Sequence, residues 1–262
     1  MSAPRVLVLR APGINCERET LDAFARVGAQ PEFVHVKRLL AQPALLDQFA
    51  IFMVPGGFAY GDDIAAGRVL ANELRHHLGE RLLAFVERGG LALGICNGFQ
   101  ALVRLGLLPR MGGELRQEVT LTLNLSNHYE CRWVTLRSTK NRCVFVPDGW
   151  TMRCPAAHGE GLLLTADARA SEVLAAEGYV AFRYVDADGA PTERYPDNPN
   201  GTPDAIAGLT DVSGRVLGLM PHPDRAYLPH HMPDWRRTGL GKVGDGLALF
   251  ESMVRAARDA SS

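Results

Sequence analysis

Short apolar runs alternate with helical patterns through the first hundred residues, and that alternation leaves the chain few architectures. Residues 5–10 (RVLVLR), 31–36 (PEFVHV), 51–54 (IFMV) and 91–95 (LALGI) read as strands. Between them, Leu21, Phe24 and Ala25 recur at helical spacing before Gly28, a residue suited to a helix C-cap. Leu70, Leu74, Leu78, Leu82 and Phe85 form a longer apolar stripe that Gly89 and Gly90 end. Strands joined by helical crossovers run the same way, so a parallel sheet flanked by helices is predicted. Residues 91–95 lack the polar alternation of a strand with one wet face, which predicts a strand covered on both sides.

Beyond about residue 114 the pattern changes. Residues 118–123 (EVTLTL) and 132–136 (RWVTL) alternate polar and apolar, predicting antiparallel strands or a long hairpin. Further strands are predicted at 180–184, 206–209 and 216–219, with a hairpin turn at 211–214 and a terminal amphipathic helix at 245–257. No repeat, linker or low-complexity stretch divides the 262 residues. The expectation is a single α/β domain over 1–262: an open, mostly parallel sheet flanked by helices, with added antiparallel strands. Lys and Arg number 28 against 29 Asp and Glu, for a net charge of −1, and no like-charged run offers nucleic acid or an anionic membrane a footprint. No apolar stretch approaches the roughly 18 residues of a membrane span, and the run at 6–9 is too short for a signal-peptide core. The five cysteines, Cys16, Cys96, Cys131, Cys143 and Cys154, are odd in number and include no C-x-x-C pair. They argue against a disulfide framework or zinc ribbon and for a reduced, cytoplasmic protein.

The strongest chemical signal is Gly94-Ile95-Cys96-Asn97-Gly98, a G-x-C-x-G elbow where a buried strand meets a helix beginning near Asn97. A nucleophile on so sharp a turn needs glycine on both sides, because side chains at 94 or 98 would collide with backbone. The helix N-terminus beyond it favours a thiolate and can stabilise an oxyanion. A buried structural cysteine is the plainer reading of this motif taken alone. The glycine-rich loop at 55–62 (PGGFAYGD) follows the third strand, and loops at strand C-termini gather on one edge of a parallel sheet. A backbone N–H there can complete an oxyanion hole. Pro221-His222-Pro223-Asp224-Arg225 follows the strand at 216–219. A cysteine nucleophile needs a base and the base an orienting carboxylate; in extended backbone, residues two apart share a side, which would face His222 and Asp224 the same way.

Cys96, His222 and an acid two residues on, in that chain order, resemble the class I glutamine amidotransferases. Narrower stretches are similar to the glutaminase subunits of phosphoribosylformylglycinamidine synthases: 12–16 (PGINC), 55–62, 94–100, Asn124-Leu125-Ser126, 131–134 (CRWV), 157–161 (AHGEG), Tyr195, 198–202 (NPNGT) and 220–225. The resemblance covers most of the chain. It implies a flavodoxin-like sheet and hydrolysis of the glutamine side-chain amide, with Cys96 forming a glutamyl thioester. His222 would relay protons to the leaving ammonia and then activate water, and Asp224 would orient the imidazole. It implies oxyanion donors at the backbone N–H of Asn97 and Gly57 (or Gly56), and substrate contacts from Gln100, Asn124, Ser126, His158 and Glu160. Ammonia would pass to a separate synthetase subunit, which uses ATP and Mg2+ to make the amidine in purine synthesis, and a small bridging subunit would join the complex. No cofactor or metal is implied in this chain, which lacks a Walker-type phosphate loop. Two features depart from the family pattern. Its usual triad acid is Glu, where Asp224 stands here, and residues 226–242 look like added length containing His230, His231, Trp235, Arg236 and Arg237.

Other readings of single residues stay open at this level. His222, His230 and His231 with Asp224 and Asp234 match no metal-ligand spacing, so His230 to Arg237 reads as a solvated loop or a partner-facing surface. His158 and Glu160 are an alternative base and acid for Cys96, or a loop lining the glutamine pocket or the ammonia exit. Cys16 reads as a buried cysteine capped by a polar turn, and Cys131, Cys143 and Cys154 as strand core. A stand-alone cysteine amidohydrolase and a non-enzymatic scaffold on the same fold are the competing functions.

Overall fold

The computed structural model describes residues 3–260. The apolar runs of the first hundred residues form β1 (Arg5–Arg10), β2 (Gln30–His35), β3 (Ile51–Val54) and β4 (Leu91–Ile95). Helices α1 (Glu17–Arg26), α2 (Val36–Ala41) and α3 (Arg68–Glu87) connect them, and α4 (Asn97–Leu105) follows β4. The rest of the chain adds β5 (Thr120–Thr122), β6 (Glu130–Ser138), β7 (Thr151–His158), β8 (Leu162–Leu164), α5 (Ala168–Ala176), β9 (Val180–Val185), β10 (Ile206–Thr210) and β11 (Val216–Leu219). Two helices, α6 (Trp235–Thr238) and α7 (Leu247–Asp259), close it.

Nine strands make one sheet in the order β2-β1-β3-β4-β11-β10-β9-β6-β7. The pairings from β2 to β11 are parallel. Those from β11 to β7 are antiparallel. The parallel half therefore has the 2-1-3-4-5 order of flavodoxin-like folds, in which ligands sit beyond the strand C-termini. β3, β4 and β11 are buried at every position, as strands covered on both faces must be. The stripe from Leu70 to Phe85 is the buried face of α3. On another element pair, Phe24 of α1 meets Phe250 of α7 edge to face with centroids 5.0 Å apart.

Several elements differ from the sequence expectation. β2 ends at His35, and Val36 instead opens α2, where the His35 imidazole caps the backbone N–H of Lys37. Residues 118–123 contribute only β5, which pairs with β8 in a separate two-stranded sheet and makes no hairpin with β6. The hairpin partner of β6 is β7, whose internal Pro155 masks it as a strand. β7 is the outermost strand, where a missing ladder donor is tolerated. The turn at 211–214 forms as expected, with Asp211 Oδ1 accepting from the N–H of Arg215 and Val216. The terminal helix starts at Leu247, because Asp245 is held by the backbone N–H of Arg153. Cys131 is exposed on β6 and Cys143 is buried in a loop, so of the three cysteines expected in strand core Cys154 is the one placed there. All five cysteines are free, and no helix among the described residues is long and apolar enough to cross a membrane.

Candidate active site

The loops leaving the C-terminal ends of β1, β3, β4 and β11 are tied together at one sheet edge. The N–H groups of Asn15 and Cys16 donate to Gly56 O, the N–H of Ala59 to Asn97 Oδ1, and the N–H of Cys96 to Leu219 O. Cys96 is the hinge between β4 and α4 and adopts φ +52°, ψ −108°, a strained conformation for a residue with a side chain. The flanking glycines are steric requirements. A Cβ at Gly98 would stand 1.9 Å from Val54 O, and one at Gly94 2.6 Å from Gly98 O. The elbow lets α4 start directly beneath the sulfur, with its first-turn N–H groups towards the site.

Cys96 Sγ lies 3.6 Å from Ala157 O and faces a cavity of about 200 Å³. Gly57, Gln100, Tyr129, His158 and Glu160 line the same cavity. His222 and Asp224 are both buried, with Nδ1 3.0 Å from Oδ1. Burial alone would pull the His222 pKa down. The Asp224 carboxylate and the Cys96 sulfur outweigh it and hold the imidazole well above its ordinary range. The pair does not arise from extended alternation: Pro223–Arg225 is a 3-10 turn that folds Asp224 back beneath the ring. Gly56 is the spacer between strands here, since a Cβ on it would stand 2.7 Å from His222 Cε1 and 3.4 Å from Cys96 Cβ.

The other residues singled out from sequence fall into two layers. Gly57, Gln100, His158 and Glu160 line the cavity. Asn97 locks the floor, its Nδ2 donating to Asp62 Oδ1 and Gln100 Oε1 at 2.8 and 2.9 Å. The Gln100 amide in turn donates to Glu160 O at 2.6 Å. Asn124 sits one layer behind: its Nδ2 donates to the carbonyls of His128 and His158, and its Oδ1 accepts from Gly161 N–H. That orientation makes His158 Nδ1, 3.0 Å away, the protonated nitrogen and leaves Nε2 a bare acceptor. Burial and the nearby His222 push the His158 pKa down to about 3, so it is neutral and no substitute base beside a charged partner. Ser126 is exposed and donates to Glu130 Oε1.

Four neighbours of the site were not singled out from sequence for a role in it. Thr20 Oγ1 stands 3.2 Å from Asp224 Oδ2, Arg225 Nη2 donates to Cys16 Sγ at 2.9 Å, and Asp62 lines the cavity with its pKa raised by burial. Cys16 is buried as expected, yet it is packed against the triad. No local pattern announces the contacts of Thr20 and Cys16, because they join the start of α1 to a turn two hundred residues later. Among the described residues, His230, His231 and Asp234 do not join His222 and Asp224 as clustered metal donors. Residues 226–242 instead carry a 3-10 turn at Pro229–His231 and α6, pinned by Tyr227 Oη to Asp22 and by Arg153 to Asp234.

The chain is similar to known proteins along nearly its whole length. The family model for the CobB/CobQ-like glutamine amidotransferase domain matches residues 3–255. The phosphoribosylformylglycinamidine synthase subunit PurQ of Dehalococcoides mccartyi is 47% identical over 98% of this chain and 99% of its own length. The subunit of the same name from Methanococcus maripaludis is 40% identical over 89% of this chain and 86% of its own. Among solved structures, a chain of PurLQS from Thermotoga maritima superposes with a TM-score of 0.70 at 31% identity, covering 97% of this chain and 98% of that one. Similarity along nearly the whole chain places this protein in the class I glutamine amidotransferases, among the PurQ subunits of phosphoribosylformylglycinamidine synthase.

Proposed function

We propose that Cys96, His222 and Asp224 hydrolyse the side-chain amide of glutamine and that the ammonia feeds a synthetase subunit, making this chain the glutaminase of a phosphoribosylformylglycinamidine synthase. The observation that carries the reading is Cys96 on a strained elbow at the wall of a small cavity, beside a buried imidazole paired to a carboxylate. Cys96 Sγ attacks the amide carbon, and the developing oxyanion is met by the backbone N–H groups of Gly57 and Asn97. The His222 imidazolium gives its proton to the departing nitrogen, ammonia leaves, and a glutamyl thioester remains. The neutral imidazole then takes a proton from water, which attacks the thioester and releases glutamate. Asp224 stabilises the charged imidazole throughout.

The synthetase partner is supported by the Thermotoga maritima neighbour, whose structure is that of PurLQS. The same name supports a third, bridging subunit. ATP and Mg2+ belong to the synthetase in this reading, and free cysteines throughout suit the cytoplasm. The test is glutamate release by the purified chain, alone and with the synthetase, phosphoribosylformylglycinamide and ATP, beside Cys96→Ala. Cys96→Ala is expected to abolish glutamine-dependent synthesis and leave ammonia-dependent synthesis intact. Glutamine-supported turnover surviving that substitution would remove Cys96 as nucleophile, and turnover indifferent to the partner would make the chain an independent amidohydrolase.

A further inference from the structure

We propose that Cys16, His222 and Asp224 form an inhibitory site for a thiophilic divalent cation such as Zn2+. The start of α1 and the turn after β11 bring a thiol sulfur, an imidazole nitrogen and a carboxylate oxygen within 4.8 Å of one another, all three buried. Sulfur, nitrogen and oxygen are the donor types that zinc takes in protein sites, and three such ligands leave a fourth tetrahedral position for water. The His222–Asp224 gap of 3.0 Å is close to the spacing of two ligands on one zinc ion, so little rearrangement separates the proton-bridged pair from a metal-bridged one. Cys16 has no part in the proposed hydrolysis.

Binding releases the Cys16 thiol proton and any proton on the coordinating imidazole nitrogen to solvent, so acid weakens it. It occupies the triad imidazole and its carboxylate at once and stops glutamine hydrolysis. The competing charge is Arg225, whose Nη2 donates to Cys16 Sγ at 2.9 Å. Its Nε lies 3.7 Å from Glu19 Oε1, so an acidic partner is already at hand when the sulfur is taken by metal. That competition makes the site a reversible one, filled when free cation rises rather than permanently loaded. Only the inhibitory consequence rests on the glutaminase reading; occupancy of the site does not.

Occupancy is read first without activity. Co2+, a spectroscopic stand-in for Zn2+, titrated into the Cys96→Ala chain is expected to give a thiolate-to-cobalt charge-transfer band that excess Zn2+ removes. Adding Cys16→Ala or Cys16→Ser is expected to abolish the band while circular dichroism stays native. A band that survives both double variants places the metal elsewhere, for instance on the exposed thiol of Cys131, and overturns the proposal. In the native chain, Zn2+ is expected to suppress glutamate release, and Cys16→Ser to raise the concentration needed by about tenfold. Equal inhibition of native and Cys16→Ser protein would put zinc on Cys96 and His222 alone. A native chain without glutaminase activity that still shows the cobalt band would sink the functional reading and leave the metal site standing.

Discussion

Asp224 meets His222 at an ordinary hydrogen-bond distance of 3.0 Å. The side chain is one methylene shorter than glutamate, and it meets His222 because the 3-10 turn at Pro223–Arg225 carries its backbone beneath the ring. Its second oxygen lies 3.2 Å from the hydroxyl of Thr20, which also lies 2.7 Å from Cys16 O and donates to one acceptor at a time. Thr20→Val removes the hydroxyl and keeps the shape, so it is expected to lower kcat roughly tenfold with KM unchanged, matching the worth of one buried hydrogen bond to a charged group. Thr20→Ser is expected to restore most of the rate. A loss confined to KM, or one that serine does not rescue, would make Thr20 a packing residue. The role of Thr20 could not be read from its surroundings in sequence, which show a threonine in the first turns of an ordinary amphipathic helix.

The elbow between β4 and α4 is a joint in which backbone meets backbone. Gly98 packs against Val54 O of β3, so the helix can begin beside the sheet only where that position has no side chain. Gly98→Ala forces α4 and β3 apart, and overpacking of this kind costs about 1–3 kcal/mol. The expected outcome is a lowered unfolding midpoint together with loss of glutamate release. A variant that keeps both would show that the elbow has slack the geometry denies. At this scale the sequence was informative, since glycines at 94 and 98 around a cysteine after an apolar run specify the joint. β7 shows the opposite. Its run contains Pro155, so nothing marks it as a strand, yet Ala157 O approaches Cys96 Sγ and Pro155 O accepts from the N–H of His222. The outermost strand of the sheet thus forms one wall of the site.

Across the whole molecule, two buried histidines pull stability in opposite directions with pH. His158 has a folded pKa near 3 against 6.5 for the free side chain. Between those values the unfolded chain binds the extra proton, so stability falls as pH drops through that window, by an amount on the order of 4 kcal/mol over its full width. His222 is raised by Asp224 and Cys96 against the pull of burial. Its contribution is complete below 6.5 and is lost as pH rises through the folded value. Stability is therefore expected to peak near neutrality and decline on both sides. Urea unfolding from pH 4 to pH 9 checks this, with His158→Gln expected to flatten the acid limb alone. An acid limb unchanged by that substitution would mean that other groups govern acid unfolding.

The parallel half of the fold, the Cys96 elbow and the glycine loop after β3 were legible in sequence, because each follows from local rules: strand and helix period, crossover direction and the steric demands of a tight turn. The shared side of His222 and Asp224 was expected from extended backbone and is set instead by the 3-10 turn at Pro223–Arg225. The antiparallel half was only partly legible, since β5 and β6 carry similar alternation and pairing is chosen by which partner completes the buried face rather than by either strand. Tertiary structure alone decided that the Thr20 hydroxyl meets the second oxygen of Asp224, that Asn124 fixes the tautomer of His158, and that Cys16 joins His222 and Asp224. Those contacts span from 34 to more than two hundred residues. Hydrogen bonds and ion pairs over such separations depend on how finished elements dock, and the local pattern around each residue carries no record of the partner.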